Sequence, residues 1–138
     1  MIKFFKNGAF QEIIVDDWIP WTEIEAMEID KPAFTSGGED GREMWPCILE
    51  KAYAKLYGSY SNIEAGKVHL ALADMVDNGF PEQFTLATVG RNLRTFAAML
   101  RKFYRNDALM GAGTPENAMG DKAMSADGIV QGHAYALL

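Results

Sequence analysis

The clearest alternation of apolar and polar positions lies at residues 43–60. Trp45, Ile48, Leu49, Ala52 and Leu56 recur at helical spacing, so they share one face of a predicted amphipathic helix. Pro46 suits the first turn, where its missing N–H has no intrahelical partner to lose. Gly58 can take the left-handed conformation that ends a helix. Ahead of this helix, residues 2–15 predict a β-hairpin. Ile2, Phe4 and Phe5 lead into Asn7-Gly8, a favoured two-residue turn, and Phe10, Ile13, Ile14 and Val15 follow. Asp16-Asp17 and Pro20 close the second strand, and the two carboxylates suit a solvated strand end with side-chain-to-backbone hydrogen bonds.

Between hairpin and helix, Glu23, Ile24, Glu25, Met27, Glu28, Ile29 and Asp30 alternate acid with apolar, the period of one short exposed strand. Thr35 to Gly41 is a polar, glycine-rich loop. After the helix, residues 61–67 form a second loop. Val68–Asn78 is again helical, with Val68, Leu72, Met75 and Val76 on one face and Gly79 as its cap. Phe80–Leu86 predicts a short strand. Asn92–Tyr104 predicts a third helix with a buried stripe of Leu93, Phe96, Ala97, Leu100, Phe103 and Tyr104. Arg91, Arg94, Arg101, Lys102 and Arg105 fill its remainder. Such a run is a solvated face in the ordinary case and a docking patch for an acidic surface in the sharper one. Leu109–Gly113 is a short strand, residues 114–127 are polar, and the chain ends in apolar residues around Gly132-His133-Ala134-Tyr135. The expected fold class is α+β.

Composition narrows the function classes. The 138 residues are 49% hydrophobic and 12% aromatic, enough for a packed core. A net charge of −6 argues against a general nucleic-acid binder, so no nucleic-acid partner is expected. Cys47 is the single cysteine, which excludes an internal disulfide and points to a reducing compartment. No apolar run approaches the roughly 20 residues needed to span a bilayer. Lys3 and Lys6 are not followed by the long apolar stretch of a secretory signal. A soluble intracellular protein is the expectation.

The residue strings add a family resemblance. Trp45-Pro-x-x-Leu-Glu-Lys-Ala-Tyr-Ala-Lys-Leu-x-Gly-Ser-Tyr60 closely resembles a helix in the protease core of calpains, the calcium-dependent papain-like cysteine proteases. Phe5 to Pro20 resembles the calpain pattern of strand, glycine turn, aromatic, Val/Ile run, Asp-Asp and Ile-Pro. Ala71 to Gly79 is similar to the stretch that opens the second lobe, with Asn78 where a glycine is usual. Gly132-His-Ala-Tyr135 matches the signature around the catalytic histidine. The resemblance implies a papain-like partial domain: hairpin and helix, then helices on short antiparallel strands. Residues 1–62 would end the first protease lobe and residues 63–138 would start the second.

By the same resemblance, His133 stands at the catalytic histidine. A papain-like protease also needs a cysteine thiolate and an amide that orients the histidine. The resemblance places the nucleophile ahead of Met1 and the orienting Asn beyond Leu138. Cys47 lies in the first turn of the central helix, where a helix N-terminus lowers a thiol pKa, but it sits beside the apolar face and is expected to be packing. Glu43 matches a calcium ligand of the family. One carboxylate cannot supply the six to eight oxygens Ca²⁺ takes, so no cofactor is expected for this segment, although calcium belongs to the family. Two functional readings stand. One is a non-catalytic structural or interaction module in a larger assembly. The other is a segment of an active calcium-dependent cysteine endopeptidase whose nucleophile and Asn lie outside residues 1–138. Partners are then other proteins or the remaining parts of a calpain-like chain, and the implied location is cytoplasmic or cytoskeletal.

Overall fold

The structure is a computed structural model that describes residues 1–24, 29–35, 43–76, 81–90, 92–115, 119 and 123–138. It is α+β, and its chain divides into two compact units, Met1–Gly66 with Asp74–Asn78, and Lys67–Ala73 with Gly79–Leu138.

The first unit opens with the expected hairpin, β1 (Ile2–Lys6) paired antiparallel with β2 (Ala9–Ile13). Asn7 and Gly8 both have positive φ, 54° and 79°, as a type I′ turn requires. Asp16 then accepts from the Trp18 backbone N–H at 3.0 Å, the side-chain-to-backbone bond that its position after the strand suggests. Residues 21–32 correct the expected single strand. Two strands there, β3 (Trp21–Ile24) and β4 (Ile29–Pro32), pair antiparallel with Trp21 opposite Pro32. Period-2 alternation is the same for one strand as for two facing strands, so only the pairing itself distinguishes them. The residues expected to form the polar loop after Thr35 lie outside the described residues.

Helix α1 (Trp45–Tyr57) carries Pro46 in its first turn and ends at Gly58 with φ 96°. Its buried side is only in part the one the periodicity suggests: of the expected face Ala52 is buried and Ile48, Leu49 and Leu56 are half-buried. Trp45 is 64% exposed, whereas Cys47, Ala52 and Ala54 are buried. The helix packs on β2 and on the 3₁₀ turn Ser61–Ile63. The buried helix side chains are small, and among the described residues the large group in this core is Phe4 of β1, 1% exposed, its ring 5.5 Å from that of Tyr53. Pattern analysis weighs hydrophobicity and not the size that a close approach demands. Polar tethers reinforce the packing: Lys51 binds the Asp16 carboxylate and the Trp18 carbonyl, and Lys55 donates to the Ile14 carbonyl at 2.7 Å.

Helix α2 (Val68–Met75) brings Asp74 to this unit. Its Oδ2 accepts from Tyr57 at 2.5 Å, Lys6 at 3.0 Å and Tyr53 at 3.1 Å. Lys6 also donates to the Tyr57 hydroxyl and lies 3.9 Å above its ring. Burial opposes the charged form of Asp74, but the bonds from Tyr57, Lys6 and Tyr53 together outweigh it and hold the carboxyl below its ordinary 3.8. The Tyr53 hydroxyl is driven well above 10, first by burial and then by its bonds to Tyr57 and Asp74. The depressed Asp74 contributes stability that is complete above about pH 5 and lost as pH falls through its folded value. The raised Tyr53 contributes stability that is present below its ordinary pKa and lost as pH rises past it. Asp74→Asn, which keeps shape but removes charge, is therefore expected to lower stability by ~1–3 kcal/mol. It should also flatten the acid limb of a urea-midpoint-versus-pH curve; an unchanged acid limb would show that the cluster is not the group titrating. The Gly79 cap predicted for this helix lies outside the described residues.

In the second unit the strand expected at residues 80–86 is absent from the described part. Residues 81–85 are irregular and lead into a short helix, α3 (Leu86–Val89). The cause is local. Thr85 and Thr88 form a reciprocal cap, Thr88 N–H to Thr85 Oγ1 at 3.2 Å and Thr85 N–H to Thr88 Oγ1 at 2.8 Å, which supplies helix-start bonds that a strand would not use. Helix α4 (Leu93–Arg105) follows, with the Asn92 side chain accepting from the Thr95 N–H at 3.1 Å. Phe96, Ala97, Leu100 and Phe103 are half-buried, and Phe103 meets Phe84 with ring centroids 6.0 Å apart. The ends of the predicted stripe are not covered: Leu93 is 67% and Tyr104 63% exposed. Arg94, Arg101, Lys102 and Arg105 are exposed as a solvated face would be; Arg91 lies outside the described residues. The unit closes with β5 (Met110–Gly113) antiparallel to β6 (Ala134–Leu137).

Candidate active site

The β5–β6 ladder positions the histidine. Gly113 pairs with Ala134 at its last rung, and His133 is the next residue back along β6. The ladder needs a glycine-rich β5, since a Cβ on Gly111 would come within 2.6 Å of Val68 Cγ1. A tight turn feeds the strand. Gly128 has φ 80°, Ser125 N–H bonds the Ile129 carbonyl at 2.8 Å, and Met124 bridges Val130. Gln131 N–H then bonds the Ala123 carbonyl at 2.8 Å and Gly132 N–H the Pro115 carbonyl at 2.9 Å, with Gly132 at φ 62°. The chain therefore arrives at His133 along a hydrogen-bonded track.

His133 is exposed, its ring edge-on to Tyr135 with centroids 5.0 Å apart and planes at 79°. An imidazole in a strand of apolar neighbours reads from sequence as a packed side chain; here it stands one residue ahead of the strand and is exposed. Thr114 and Tyr135 hold the segment around it. Tyr135 belongs to the Gly132–Tyr135 string that the sequence singled out; Thr114 was not marked, and its signal was thin, a Thr directly after a glycine-rich strand.

The other sequence-derived candidates lie in the first unit. Cys47 is 1% exposed and its thiol donates to the Thr35 carbonyl at 3.1 Å, the position of a packing residue. Glu43 is exposed, two residues ahead of Trp45, where α1 starts. Among the described residues no three His, Cys, Asp or Glu side chains gather as a metal site. An open cleft of about 470 Å³ in the first unit, bordered by Phe34, Thr35, Glu50, Tyr60 and Ile63, includes none of the three candidates. Its walls are ordered by the stacked rings of Phe34 and Tyr60, 4.2 Å apart, and by the Glu50 carboxylate, which accepts from the Thr35 N–H and hydroxyl at 2.9 and 2.7 Å. Among the described residues no helix is long and apolar enough to cross a membrane.

The family profile described as calpain family cysteine protease matches residues 1–138, the whole chain. This chain belongs to the calpain family. It is 38% identical over 142 aligned positions to calpain-type cysteine protease DEK1 of Zea mays, covering 99% of this chain and 6% of that protein. It is 30% identical to calpain clp-1 of Caenorhabditis elegans and to calpain-A of Drosophila melanogaster, covering 98% of this chain in each case, and 16% and 15% of those proteins. The calpain segment thus spans a small fraction of the length of the curated relatives it matches.

Proposed function

We propose that residues 1–138 are the histidine-bearing part of a calpain-type cysteine endopeptidase with a papain-like two-lobed core. Residues 1–62 close the first lobe and residues 63–138 open the second. His133 takes the proton from a cysteine thiol and returns it to the leaving amine as the acyl-enzyme forms. The thiolate and the Asn that orients the imidazole come from polypeptide outside this numbering. The observation that carries this reading is the exposed imidazole at the head of β6, held by a hydrogen-bonded backbone and edge-on to Tyr135. A packed structural histidine would be covered.

Cys47 has no part in the chemistry, because its thiol is buried and bonded to the Thr35 carbonyl, out of reach of a substrate. Cys47→Ser is therefore expected to leave peptide hydrolysis by the full-length chain within about twofold of wild type; a loss equal to that of a nucleophile knockout would make Cys47 the nucleophile. Glu43 sits beside the N-terminus of α1, where a carboxylate is favoured by the helix dipole, a role that requires no metal. Its calcium role in this chain would need oxygens beyond the described residues. The substrate class is polypeptide, and the location is a reducing, cytoplasmic or cytoskeleton-associated compartment.

The test is hydrolysis of a casein-type substrate, with and without calcium, by the full reading frame that carries residues 1–138, as wild type and as His133→Ala. Activity in the first and none in the second is expected. An inactive wild type would leave a non-catalytic structural or interaction module as the function.

A further inference from the structure

We infer that Thr114 is a positioning residue for His133, which rests on the catalytic reading of that histidine. Thr114 follows the last residue of β5, and it bonds both backbone polar groups of His133. Its own N–H donates to the His133 carbonyl at 3.0 Å, and its Oγ1 accepts from the His133 N–H at 2.9 Å. A hydroxyl has one proton and two lone pairs. Thr114 Oγ1 can therefore accept from His133 while donating to the Val130 carbonyl at 2.9 Å, with the His133 carbonyl a longer alternative at 3.2 Å.

That relay joins three points of the loop. The backbone of His133 is tied through one oxygen to Val130, whose N–H is in turn bonded by the Tyr135 hydroxyl at 2.9 Å. Tyr135 is also the ring against which the imidazole lies. The Thr114 side chain thus couples the peptide plane that carries the imidazole to the aromatic wall that limits its swing. The regular ladder cannot do this alone. Its last pair is Gly113 with Ala134, so the inward N–H of His133 meets a side chain and not a strand. Without the hydroxyl, the His133 N–H loses its partner, and the peptide preceding His133 is held only by the flanking bonds of Gly132 N–H to Pro115 and of Thr114 N–H to the His133 carbonyl, so the imidazole has more room to move.

The consequence is a defect in placement. A reacting group displaced by about 1 Å can cost on the order of a hundredfold in rate. Valine matches threonine in shape but cannot accept or donate; serine keeps the hydroxyl. In the full-length chain, Thr114→Val is expected to lower kcat roughly 10- to 100-fold with KM within about twofold of wild type, and Thr114→Ser to stay within about threefold of wild-type kcat. Hydrogen exchange at the His133 amide should accelerate in Thr114→Val and remain near wild type in Thr114→Ser. A purely structural role would lower the melting temperature of Thr114→Val and leave kcat intact; that result, or unchanged exchange at His133, overturns the inference. His133→Ala measured alongside separates the two levels. Activity that survives His133→Ala, or an inactive wild type, removes the catalytic reading and this inference with it. Activity abolished by His133→Ala but untouched by Thr114→Val removes this inference alone.

Discussion

His133→Ala is expected to lower kcat/KM for peptide hydrolysis roughly a thousandfold or more in the full-length calpain-type chain, while leaving its fold intact. General acid–base catalysis by one side chain is worth about 10²–10⁴-fold, and groups that act as a unit lose nearly everything when one is removed. The fold should survive because the imidazole is exposed: its described side-chain contact is the edge of Tyr135, and its main-chain bonds to Thr114 do not involve the ring. Steady-state assay of a fluorogenic peptide would measure the first quantity and circular dichroism the second. A variant that keeps more than about a tenth of wild-type activity would mean that another group moves the proton. A variant that unfolds would mean that the histidine is structural after all.

The second large effect is on stability. Phe4→Ala is expected to cost ~3–5 kcal/mol, the transfer term of a buried aromatic plus the cavity it leaves. Phe4 is 1% exposed and is the largest buried side chain among the described residues; the others, Cys47, Ala52 and Ala54, are too small to fill the space. A loss of that size is comparable to the whole stability of a small domain, so the first unit should unfold at ambient temperature. Trp45→Ala provides the contrast. Periodicity puts Trp45 on the buried face, but at 64% exposure its removal should cost less than about 1 kcal/mol. Urea denaturation of the two variants decides which side of α1 faces the hairpin. Equal losses would reverse the assignment made from the structure.

Family membership was legible in the sequence because it rests on strings such as Trp45 to Tyr60 and Gly132 to Tyr135, which the match over the whole chain bears out. The local punctuation of the fold was legible for a different reason: it rests on what single residues can do with their own backbone. Asn7-Gly8 tolerates positive φ and makes the hairpin; Pro46 opens α1 and Gly58 closes it; Asn92 caps α4. Each of these is decided within four residues, so the neighbours that matter are visible in the chain itself.

What the tertiary structure decided was everything that depends on residues far apart. Alternation at residues 21–32 was compatible with one strand or two until Trp21 met Pro32. The burial of Cys47 and Ala54 in place of Trp45 followed from how closely α1 approaches the hairpin, a distance no periodicity encodes. Lys6 and Asp74 are 68 positions apart, and Thr114 and His133 are 19 apart. Neither pair carries a sequence signal, because a hydrogen bond needs only the right atoms at about 3 Å and the chain can close loops of many lengths to bring them there. The sequence alone singled out His133 by the resemblance of Gly132 to Tyr135 to a calpain signature; the pairing of β5 with β6 decided that its ring is exposed and its backbone is held by Thr114.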